Sequence, residues 1–132
     1  MDEGVDTRVM HPATVRFRNN ARGFWTAYKW VLMLFVVSLF CDAASTIYFM
    51  LKLGPEPEIH PMVRIAAMIA GPIAGPLLGA AAKVIAGVLV AIYCRRWAVY
   101  ILILASLISL WAAWYNVWGV EMYCPIFMRY LP

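Results

Sequence analysis

The stretch WVLMLFVVSLFCDAASTIYFML, residues 30–51, decides the fold: it holds one acid, Asp42, and no basic residue. A helix of about 20 apolar residues crosses about 30 Å of hydrocarbon, so this run predicts a transmembrane helix. Residues 97–118 repeat the signal with no charge, and residues 65–93 form a third apolar segment with one charge, Lys83. Of the 132 residues, 64% are hydrophobic and 14% charged, whereas soluble domains carry about a quarter. These features predict an all-α, polytopic integral membrane protein with three transmembrane helices.

The breaks lie where glycine and proline accumulate. Gly54, Pro55, Pro57 and Pro61 end the first span. The middle segment is harder to place, because residues 62–94 as one helix would run about 50 Å at 1.5 Å per residue. Counting back from Arg95 and Arg96, a membrane-length helix begins near Pro72 to Pro76, since proline suits the first turn of a helix. The second span is therefore expected to be broken or kinked near Gly71–Pro76, the alternative being one long kinked helix. The expected organisation is a basic cytoplasmic arm, 1–23, and a three-helix membrane domain, 24–118, followed by a short outer tail, 119–132. The spans fall at about 24–53, 72–94 and 97–118, with 54–71 an outer loop and an interfacial or re-entrant segment.

The net charge of +4 does not point to nucleic acid, because of where the basic residues lie. Arg8, Arg16, Arg18, Arg22, Lys29, Arg95 and Arg96 fall on one side of the spans; Lys52, Arg64 and Arg129 fall on the other. By the positive-inside rule the N-terminus is cytoplasmic and the C-terminus outside, as in a bacterial inner membrane. The basic arm is suited to anionic headgroups. A long apolar first span behind 29 mixed residues predicts a retained anchor and no removable leader. Cys41, Cys94 and Cys124 show no CxxC or Cys/His spacing, so neither a disulfide framework nor a metal site is expected.

Within the middle segment Ala67, Gly71, Gly75, Gly79, Lys83, Gly87 and Ala91 recur at every fourth position. Small residues in such a row let another helix approach closely, which drives association in lipid by packing. The candidate partners are span one, span three, a second copy and another protein. Lys83 interrupts the row near the bilayer midplane, the depth also of Asp42. Charges there cost a few kcal/mol and usually pair, which predicts a buried Asp42–Lys83 pair. It serves either as a proton or cation relay or as a polar clasp between helices. Ser38, Ser45 and Thr46 share the Asp42 face of span one, and Asn116 is the strong hydrogen-bonding side chain of span three.

Glu56, Glu58 and His60 cluster in the outer loop, in a spacing that is no recognised metal pattern. Trp111, Trp114 and Trp118 form an aromatic face on span three. It reads as a belt at the headgroups, or as a contact for a lipid, pigment or quinone; no cofactor motif is present.

As an ordered set, Asp42-x-x-Ser45-Thr46, Gly54, Glu58-x-x-Pro61, Lys83 and Asn116 resembles a family of small uncharacterised bacterial and archaeal three-helix membrane domains. That family's pattern is Asp-x-x-x-Thr, Gly, Glu-x-Asn-Pro, a Lys in the next apolar segment and often a late Asn. The resemblance spans about residues 35–118 and departs at His60, which replaces the Asn. It implies the three-helix architecture and a grouping of Asp42, Glu58 and Lys83, with 58–75 folding back toward the bundle. It names no activity.

The resulting expectation is a non-catalytic accessory or structural subunit, packing against a larger membrane complex through the Gly/Ala row and the aromatic third span. The alternative is a homo-oligomeric carrier or proton- or ion-conducting protein built on Asp42 and Lys83. A membrane enzyme using Asp42 or Glu58 as acid or base ranks behind both, because no further set of catalytic roles accompanies them.

Overall fold

The computed structural model describes residues 11–56, 58 and 60–119. The first ten residues of the arm and the tail from position 120 onward lie outside the described residues. The described residues form five α-helices in order: α1 (Pro12–Ala21), α2 (Phe24–Leu53), α3 (Pro61–Ala70), α4 (Ala74–Tyr93) and α5 (Ala98–Trp114). A 3-10 turn, Arg95–Trp97, joins α4 to α5, and a π turn, Tyr115–Gly119, extends α5. Among the described residues there is no strand. Three helical stretches among the described residues are long and apolar enough to cross a membrane: Phe24–Leu53, Ala74–Tyr93 and Arg95–Trp118.

The middle segment is broken. Gly71 adopts φ +94°, a left-handed conformation that side-chain-bearing residues rarely adopt, and its N–H closes α3 on Ala67 O at 2.8 Å. Its own carbonyl accepts from Gly75 N at 3.0 Å, so the new ladder opens on Gly71 with Pro72 at its first position. Pro76 has no N–H to offer the Pro72 carbonyl. Regular helix consequently starts at Ala74, and α4 is left at 20 residues, about 30 Å and one bilayer core.

α3 folds back along α4 as a tight antiparallel hairpin. A Cβ added at Gly75 would stand 2.5 Å from Ala67 Cα, and one at Gly79 would stand 3.2 Å from Val63 Cγ2. The pairs 67/75 and 63/79 are both centred on Gly71, so α3 descends beside the first half of α4. Phe49 and Met50 of α2 complete a small core with Val63 and Ala67.

The larger core lies toward the arm end, where Phe24, Leu32, Phe35 and Leu39 of α2 meet Ala91 and Ile92 of α4 and Ala98 and Leu102 of α5. α2 is the central element and packs most extensively on α5. Its 30 residues make it about 45 Å long, and the excess carries Phe24 and Tyr28 into the cluster against which Phe17 and Ala21 of α1 also pack. Between the two apolar cores sits a layer of buried polar residues: Ser38, Asp42, Ser45 and Thr46 of α2, with Ser106 and Ser109 of α5.

Candidate functional site

Depth along the helices brings Asp42 and Lys83 together. Tyr28 Oη donates to Arg95 O at 3.3 Å, which aligns α2 with the end of α4. From that level Asp42 is fourteen residues up α2 and Lys83 twelve residues up α4, rises of about 21 and 18 Å. Lys83 Nζ donates to Asp42 Oδ2 at 2.8 Å as an ion pair. Lys83 also stands at the centre of α4, about 15 Å from either end.

The two partners are covered unequally. The Asp42 side chain is 10% exposed, whereas that of Lys83 is 41% exposed. The reason lies in the hairpin: α3 reaches Gly79 through Val63, and Lys83 is one turn further along α4, beyond that contact. From the centre of the span the interface is farther than a four-carbon stem extends, so the ammonium cannot reach it by snorkelling.

A second polar group stands one turn above Asp42. Asn116 Nδ2 donates to Thr46 Oγ1 at 3.0 Å and to Ser45 Oγ at 3.2 Å, while Ser45 Oγ donates to Asp42 O at 2.8 Å. The π turn at Tyr115–Gly119 carries Asn116; π turns add a residue to the helical turn and recur at functional positions. A polar chain therefore runs from Asn116 on α5 through Ser45 and Thr46 to the residue that pairs with Lys83. Ser38 and Ser106 close onto their own helices, donating to Phe35 O and Leu102 O, each at 2.7 Å.

Glu58 is not joined to this chain. Its Oε1 accepts from the His60 backbone N–H at 3.0 Å, and its own N–H donates to Pro55 O at 3.2 Å. The carboxylate thus bonds within its own loop, rather than to Asp42 or Lys83 as the resemblance implies. His60 is exposed immediately before α3. Among the described residues no three His, Cys, Asp or Glu side chains gather as a metal-binding group.

The small-residue row takes a different form from a single face. Gly71 ends α3, so Ala67 and Gly75 stand on two helices that face each other. Within α4, positions four apart drift by about 40° at 3.6 residues per turn, and the row winds around the helix. Gly75 and Gly79 meet α3; Lys83 meets Asp42 of α2; a Cβ at Gly87 would stand 2.5 Å from Phe35 Cζ of α2. Ala91 is fully buried in the arm-end core. Close approach along the row is thus made by helices of the same chain. Trp111, Trp114 and Trp118 are exposed, with Trp111 stacked on Tyr115 at 5.8 Å.

The arm end is fastened by contacts that no sequence pattern announces. Arg95 Nη1 donates to Asn20 O and Arg22 O, each at 2.8 Å, and Asn20 Nδ2 donates to Tyr93 O at 3.1 Å. Arg16 lies over the Tyr93 ring, 5.0 Å from its centroid. These contacts hold α1 against the α4–α5 turn. The acceptors are mainly backbone carbonyls, which leave no residue-type signal in a sequence. No family model, curated protein or solved structure matches the chain.

Proposed function

We propose that this chain is a small non-catalytic subunit of a larger membrane assembly, and that its contact surface is centred on the uncovered side of Lys83. One observation carries the reading: the Lys83 side chain, at the centre of a membrane-length helix, is 41% exposed on a chain whose neighbouring outer surface is apolar. Asp42 offsets part of the cost of that charge, but hydrocarbon against its open flank would still be unfavourable by a few kcal/mol. A polar group from another subunit removes that penalty. The surrounding polar side chains are engaged in helix-to-helix or back-bonding contacts, which supports a structural role over catalysis. Seven basic residues on the arm side against three on the other favour a cytoplasmic N-terminus in a bacterial inner membrane.

The polar chain from Asn116 to Lys83 favours a second reading, a homo-oligomeric proton or ion carrier, in which copies together enclose the path that three helices cannot. Mild-detergent extraction from native membranes separates the two. The subunit reading expects a different protein to co-purify in fixed ratio, and expects the Asp42→Asn, Lys83→Met double variant to fold yet lose it. A homo-oligomer with proton flux in vesicles, abolished in the same variant, establishes the carrier. A monomer in every detergent and in nanodiscs overturns both.

A further inference from the structure

The arm end concentrates positive charge that nothing in the described chain neutralises. Folding brings Arg16 and Arg22, from α1 and its end, to Arg95 and Arg96 in the turn after α4, more than seventy residues away. The contacts that gather them are neutral: Arg95 meets the carbonyls of Asn20 and Arg22, and Arg16 meets the face of Tyr93. Arg18 and Lys29 extend the patch, and Lys29 lies 5.3 Å from the Trp30 ring. The described acids, Asp42, Glu56 and Glu58, all lie beyond the arm-end core.

Four arginines gathered at one end of the bundle, with no acid beside them among the described residues, repel one another, and the contacts holding α1 in place work against that repulsion. The same rim carries exposed Trp25, Trp30, Trp97 and Tyr100, side chains that favour the headgroup level of a bilayer. The patch therefore lies where lipid phosphates lie, and guanidinium forks match phosphate oxygens in geometry as well as charge.

We propose that Arg16, Arg22, Arg95 and Arg96 form a preformed binding site for the phosphate of an anionic phospholipid, which holds α1 down on the bundle. Zwitterionic lipid also carries a phosphate, but its choline charge cancels the attraction. The site thus distinguishes headgroups by net charge. It is independent of what covers Lys83.

The test uses the full chain in nanodiscs of phosphatidylcholine, with and without phosphatidylglycerol, and reads thermal unfolding by tryptophan fluorescence. Phosphatidylglycerol is expected to raise Tm by roughly 5–10 °C at low salt. The rise should shrink at high ionic strength and vanish in R16Q/R22Q/R96Q, which leaves the Arg95 fastening intact. Should that variant fail to fold, native mass spectrometry of the wild type from mixed micelles decides: preferential retention of phosphatidylglycerol supports the site, and equal retention overturns it. An equal rise in phosphatidylcholine discs on adding inorganic phosphate would show a free-anion site and overturn the lipid assignment. So would indifference to lipid coupled with lost stability in D2N/E3Q/D6N, which would name the chain's own N-terminal acids as the counter-charge.

Discussion

Gly75 lies so close to Ala67 that a Cβ at position 75 would stand 2.5 Å from both the Cα and the N of Ala67. Backbone atoms cannot swing aside, so Gly75→Ala must push α3 away from α4. At Gly79 the obstacle is a methyl of Val63 at 3.2 Å, which needs to yield only a few tenths of an ångström. The expected order of stability is wild type, then Gly79→Ala close behind, then Gly75→Ala lower by about 1–3 kcal/mol or more. Denaturant titration in detergent checks it, and a neutral Gly75→Ala would mean that the hairpin is open.

Gly87 presents the contrasting case, because its neighbour is the end of a ring. A Cβ there would meet Phe35 Cζ at 2.5 Å and Cε1 at 2.9 Å, yet Phe35 is buried and cannot turn freely. Gly87→Ala is expected to destabilise by about 1–2 kcal/mol. Phe35→Leu frees the space, so the double variant should lose less than the sum of the singles, with a coupling of about 0.5–3 kcal/mol. Strict additivity would remove the contact between α2 and α4 at this level.

The Asp42–Lys83 pair calls for a three-variant comparison. Lys83→Met strands a carboxylate that is nearly enclosed, and removing one member of a buried pair costs more than removing both. Asp42→Asn with Lys83→Met should therefore unfold at higher denaturant than Lys83→Met alone. Because Lys83 is 41% exposed on its side chain, Asp42→Asn alone should cost less than Lys83→Met. A double variant weaker than either single would show that the pair does not compensate itself.

Asn116 links α5 to α2 through two hydroxyls. Polar contacts between transmembrane helices are worth about 0.6–1.7 kcal/mol, so Asn116→Leu should cost about that much. Once Ser45→Ala and Thr46→Val are in place, the same change should cost little further. Full additional loss in the triple variant would mean that Asn116 has other partners.

How far these features could be read from the sequence depended on whether they were set by counting or by turning. Asp42 and Lys83 could be matched by counting residues from the ends of their spans, because rise per residue is constant. The break near Gly71–Pro76 was legible because one helix over 62–94 would be too long for a bilayer and prolines suit the first turn of a new helix; that it falls at Gly71 is set by the backbone there, at φ +94°. The direction of the glycine row was not: a drift of about 40° per step sends Gly75 to α3 and Gly87 to α2, and only the placement of those helices reveals it. Where Glu58 points was not legible, because the choice between its own loop and the bundle rests on local geometry, in which its side chain accepts from the His60 amide. The Asn116 contacts likewise depend on the π turn, which shifts the register of the last residues of α5.

The Arg95 fastening leads to the last prediction. One guanidinium nitrogen, Nη1, reaches two carbonyls at the end of α1, and each charge-assisted bond is worth about 1.5–3 kcal/mol when shielded. Arg95 is half-buried, so the combined effect is discounted to about 1–2 kcal/mol. Releasing it should let α1 detach from the bundle while the spans remain folded, since α1 contributes only Phe17 and Ala21 to the arm-end core. Trypsin sites at Arg16, Arg18 and Arg22 would then be cut roughly ten times faster in Arg95→Ala, as about 1.4 kcal/mol of opening free energy is a factor of ten when cleavage tracks the open population. Arg95→Lys should be intermediate, because an ammonium retains the charge but lacks the planar fork. Equal cleavage rates in all three proteins would show that α1 is held by its other contacts, those of Asn20 and Arg16 with Tyr93 and of Phe17 and Ala21 with the core.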